Sequence, residues 1–60
     1  MEEVLFEYVR QGALVKVTAL EPETGVEAVV VMPVGLSEKE MQARAMQKLL
    51  YVLKKMEENS

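Results

Sequence analysis

The chain has 60 residues, half of them apolar, with a formal charge of -3 and neither Cys nor His. That length allows one domain, which buries only about 60% of its unfolded surface and is marginal by itself. The missing Cys and His exclude disulfides and the usual structural zinc sites, so oligomerisation is the expected source of extra stability. The acidic balance argues against nucleic acid or anionic membrane as a partner of the whole chain.

The chain opens Met1-Glu2-Glu3, acidic where a signal peptide would be basic. No apolar run approaches the roughly 18 residues of a membrane span, and a cytoplasmic location without membrane contact is the expectation. Residues 4–10 form the first predicted strand, rich in β-branched and aromatic side chains and followed by Gln11-Gly12. Residues 13–20 form a second, with Val15 and Val17 alternating against Lys16 and Thr18. Pro22 pre-sets a turn that Gly25 can close. Residues 26–34 form a third and most apolar strand, ended by Pro33 and Gly35. A helix is predicted over 38–57, begun by a Ser37/Glu40 capping box in which each side chain satisfies the other's backbone N–H. Glu38 and Glu40 suit its positive end, and Lys54 and Lys55 its negative end. Asn59-Ser60 is read as a frayed tail.

The two turns set a register. With Gln11-Gly12 as a two-residue turn, Arg10 faces Ala13, Tyr8 faces Val15, Phe6 faces Val17, Val4 faces Ala19, and Glu7 meets Lys16 as a cross-strand charge pair. With 22–25 as a four-residue loop, Glu21 faces Val26, Val17 faces Val30, and Val15 faces Met32. Both turns then place Val4, Phe6, Tyr8, Val15, Val17, Ala19, Ala28, Val30 and Met32 on one face. A one-residue slip would break that agreement. Gln-Gly is a weaker hairpin signal than Asn-Gly, and a bulge at Gly12 within one long strand is the alternative. The predicted fold is α+β: a three-stranded antiparallel meander with one long C-terminal helix on one face, in the order β-β-β-α.

The helix presents an apolar stripe of Met41, Ala45, Met46, Leu49, Val52, Leu53 and Met56. One helix covers one sheet face. The other carries Leu5, Val9, Leu14, Val29 and Val31, and Leu50 widens the helix stripe beyond what a narrow sheet needs. An apolar patch of this kind marks an interface. The expected partner is another copy of the chain, in a dimer or larger assembly, with a different protein as the other occupant. Scattered β-formers on an open face are the alternative explanation.

No chemistry-bearing constellation stands out. Asp is absent, and the two serines fall at Ser37 and Ser60. No nucleophile–base pair can be named and no phosphate-loop pattern is present, so no enzyme activity and no cofactor is expected. Glu21 and Glu23 read as solvated turn charges, and Glu2, Glu3 and Glu7 offer only a weak hold on a hard cation, without a calcium-loop spacing. The helix carries a basic stripe, Arg44, Lys48, Tyr51 and Lys55, on the face opposite the core. It offers a phosphate-backbone or acidic-protein contact, set against the ordinary reading of a charged helix back with a Glu40–Arg44 pair. Three of the five Met residues lie on the helix stripe, where core packing explains them.

The stretch FEYVRQGALVKVTALEPETGVE, followed by a helix ending in KLLYVLKK, resembles a family of short uncharacterised bacterial proteins of about 60 residues, mostly alphaproteobacterial. They share an E-Y, a Gly, V-K-V-T-A, a Pro-x-Thr-Gly turn and a K-L-x-Y-V-L helix end. The resemblance implies a free-standing small protein and carries over no site. The leading functional expectation is a homo-oligomeric structural or protein-interaction module. The alternatives are a nucleic-acid accessory protein using the basic stripe, and a ligand-binding or enzyme-subunit role with a site formed between chains.

Overall fold

The computed structural model describes residues 3–59; Glu2 and the tail residue Ser60, weighed above for cation binding and fraying, lie outside them. Three antiparallel strands, β1 (Leu5–Gln11), β2 (Leu14–Glu21) and β3 (Val26–Pro33), form an open sheet in the order β1-β2-β3, followed by one helix, α1 (Glu38–Glu58). The β-β-β-α architecture is the one the turn and periodicity signals predict.

The first hairpin differs in register. Its two loop residues are Gly12 and Ala13, and Gln11 pairs with Leu14. Gly12 has φ +61° and no described non-Gly residue has positive φ, the sign pattern of a II′ turn, which wants Gly at its first loop position. The loop is therefore a turn, not a bulge. Tyr8 lies opposite Val17 and Phe6 opposite Ala19, while Glu7 meets Thr18 and Lys16 meets Val9. The predicted Glu7–Lys16 pair does not face across the ladder. The error is a shift of two residues, which preserves the side-chain alternation, so the division into faces is unaffected.

The second hairpin has the predicted register, with Glu21 opposite Val26, Val17 opposite Val30, and Val15 opposite Met32. Glu21 is not a solvated turn charge: only 4% of its surface is exposed. Its carboxylate accepts from the Glu23 N–H at 2.7 Å, the Thr24 N–H at 3.0 Å and the Thr24 hydroxyl at 2.7 Å. The Thr24 hydroxyl bond, with the Glu23 N–H behind it, holds the carboxyl below the usual glutamate range. The backbone closes the same loop, Gly25 N–H donating to the Glu21 carbonyl at 2.9 Å.

α1 lies on the inner face, over β3 and β2. Val15, Val17, Ala19, Ala28, Met32, Ala45 and Leu49 form the buried core. Ala19 and Ala28 are cross-strand neighbours, so the middle of the sheet offers little side-chain bulk and lets the helix come close. Inward residues of β1, such as Phe6 and Tyr8, pack against this core but stay half-buried, because the helix sits toward the other edge. The Tyr8 hydroxyl is buried without a hydrogen-bond partner among the described residues. Met56, predicted for the apolar stripe, is 52% exposed. A helix of 21 residues spans about 31 Å, and strands of 8 residues span about 27 Å. The final turn therefore overhangs the sheet.

The capping box is half formed. Ser37 has extended backbone, and its hydroxyl accepts from the Glu40 N–H at 3.1 Å. Glu40 does not reach back; its carboxylate is paired with Arg44 at 3.4 Å.

Candidate interaction surfaces

The outer sheet face is a grid set by strand alternation and the two registers. Its rows, from β1 across β2 to β3, are Leu5–Leu20–Glu27, Glu7–Thr18–Val29, Val9–Lys16–Val31 and Gln11–Leu14–Pro33. All five sheet residues assigned to an interface from sequence lie on it: Leu5 is 47% exposed, Val9 37%, Leu14 49%, Val29 37% and Val31 57%. No element of the described residues covers them. The sixth, Leu50, is 49% exposed but belongs to the helix, on the other side of the sheet. Sheet face and helix flank are separate surfaces.

The accessible surface is 4376 Å², where a compact monomer of this mass should expose about 3,950 Å². The excess fits a sheet covered on one side only.

The outer face is not uniformly apolar. Lys16 stands between Val9 and Val31 and makes no hydrogen bond or ion pair among the described residues. Toward the Leu5–Leu20–Glu27 end of the face lies an open depression of about 310 Å³, lined by Leu5, Phe6, Glu7, Thr18, Leu20 and Glu27. Its two carboxylates come from the two edge strands and also have no cationic partner among the described residues. Neither the depression nor the isolation of Lys16 is visible in sequence, since both follow from the register of the first hairpin.

The basic stripe of the helix is largely occupied by contacts within the chain. Arg44 pairs with Glu40. Lys55 is 3.6 Å from the Glu58 carboxylate and its ammonium lies 5.8 Å from the centre of the Tyr51 ring. Lys48 does not stay on the far side of the helix: its ammonium donates to the Val29 carbonyl of β3 at 2.7 Å. Tyr51 is 61% exposed. The two ion pairs are solvent-exposed and individually worth well under about 1 kcal/mol. They also mean that a phosphate would have to displace partners rather than meet free cations.

Among the described residues no three His, Cys, Asp or Glu side chains gather in a way that could hold a metal ion. Among them no helix is long and apolar enough to cross a membrane.

Residues 1–56 match a family described as a domain of unknown function, DUF6898, and the chain belongs to that family. No curated protein and no solved structure matches the chain.

Proposed function

We propose that this member of the family is a small self-associating interaction module whose working part is the outer face of its sheet. One observation carries the reading: Leu5, Val9, Leu14, Val29 and Val31 share a face that the single helix leaves open. A chain of 60 residues with neither Cys nor His gains most by burying such a face against another chain. The occupant we favour is a second copy, because it is always present at matching concentration and a two-fold contact needs only one self-complementary patch.

Four rows of three residues cover about 14 Å by about 27 Å, roughly 380 Å² per copy, so the contact is a weak, concentration-dependent one below the standard size of stable interfaces. Light scattering over a dilution series tests the reading. Wild type should be dimeric or larger at high concentration and dissociate on dilution. Val31→Lys should be monomeric throughout, and Leu50→Lys should behave as wild type. A wild-type chain that remains a folded monomer at every concentration would overturn the proposal. Loss of assembly in Leu50→Lys alone would move the interface to the helix flank.

A further inference from the structure

On its central strand the outer face carries one lysine, and toward one end two carboxylates around a depression, all three without a charged partner among the described residues. Resting on the self-association just proposed, we infer that two copies pack face to face about a two-fold axis running across the strands, with Lys16 of each seated in the depression between Glu7 and Glu27 of its partner.

The grid selects this arrangement. An axis along β2 would place Lys16 against the same residue of the second copy, like charge on like charge. An axis across the strands, between the Glu7–Thr18–Val29 and Val9–Lys16–Val31 rows, places Lys16 over the partner's Thr18, which lines the depression. Glu7 lies one strand away, about 5 Å, and Glu27 one strand and one row away, about 8 Å. Both are within reach of a flexible lysine stem and a glutamate. The same operation sets Leu20 over Leu14 and Val29 over Val31, apolar on apolar, while Leu5 meets Gln11, Glu7 meets Val9 and Glu27 meets Pro33 along the flanks. Sheets packed this way cross at a modest angle and lie about 10 Å apart, enough for one layer of interdigitated side chains.

The lysine also has a meaning for specificity. A cation in the middle of an apolar sheet face opposes indiscriminate stacking. A partner that brings carboxylates to it removes that penalty, so correct pairing is favoured over other apolar contacts.

Complementation between two charge-reversed full-length chains tests the inference. Lys16→Glu sets one carboxylate against two at each contact, and Glu7→Lys sets cation against cation. Each alone should raise the dimer dissociation constant by about tenfold or more at low salt. Mixed in equal amounts, the two variants restore both contacts and should form a heterodimer, counted by native mass spectrometry, close to wild type in affinity. A salt bridge within one chain would give no such rescue on mixing. Both substitutions are at exposed positions, and circular dichroism verifies that each chain folds. If wild type dimerises and Val31→Lys abolishes the dimer while Lys16→Glu leaves it intact, this docking geometry is wrong and self-association through the face stands. If both variants weaken the dimer but mixing recovers nothing, the geometry is likewise wrong. A wild type that never associates removes both proposals.

Discussion

The Lys48 ammonium donates to the Val29 carbonyl oxygen at 2.7 Å, joining helix to edge strand across 19 residues. In the register of the second hairpin the backbone groups of Val29 point away from β2, since the Val34 N–H to Ala13 carbonyl bond fixes the opposite parity as the paired one. The helix thus places a lysine on the outward-facing backbone of an open sheet edge.

Lys48→Met keeps the stem and removes the donor. Stability should fall by about 1 kcal/mol, the net worth of one hydrogen bond, seen as a lower urea midpoint at unchanged slope. The freed edge should also make the chain more prone to edge-to-edge association, seen as larger species in light scattering at high concentration. An unchanged midpoint would mean that the contact contributes nothing.

Glu21 should make the second hairpin acid-sensitive. Its folded pKa is lowered, first by the Thr24 hydroxyl and then by the Glu23 N–H, against about 4.3 in an unfolded chain. The sign follows: the contribution is complete above the unfolded value and is lost as pH falls through the folded one. Glu21→Gln should melt lower than wild type at pH 7, and the gap should narrow as pH falls below about 4.3. A gap independent of pH would show that the carboxylate charge is not what holds the loop.

Tyr8→Phe should leave stability unchanged or raise it, by up to about 1 kcal/mol, because it removes a buried hydroxyl that lacks a partner among the described residues. Chemical denaturation decides the matter. A clear loss would mean that the hydroxyl is hydrogen-bonded in solution.

Leu49 and Leu50 are adjacent on α1, the first fully buried and the second 49% exposed. Leu49→Ala should cost about 2–5 kcal/mol, enough to unfold a domain with so small a core. Leu50→Ala should stay within about 0.5 kcal/mol. Comparable effects on melting temperature would contradict the side of the helix that faces the sheet.

The fold was legible because its signals are local and agree with one another. Gly25 closes a loop flanked by Glu21 and Val26, Ser37 starts the helix, and Val15, Val17, Val30 and Met32 alternate in step. The first hairpin was legible only to within two residues: either Gln11-Gly12 or Gly12-Ala13 accommodates a positive-φ glycine, and both leave the same side chains inward. Pairing across the ladder has no such tolerance, so Lys16 meets Val9 instead of Glu7.

By itself the sequence determined the element order, the inward set and the presence of a second apolar face, because periodicity and turn chemistry act over a few residues. Tertiary structure alone decided the rest. It turned Lys48 from a free cation into an edge clamp, diverted Glu40 from the cap to Arg44, buried Glu21, separated Leu50 from the sheet face, and left Lys16 without a partner among the described residues, beside an acid-lined depression. Each of these depends on where a side chain ends in space, which is set by register and by the placement of the helix over β2 and β3, and so by contacts between residues far apart in the chain.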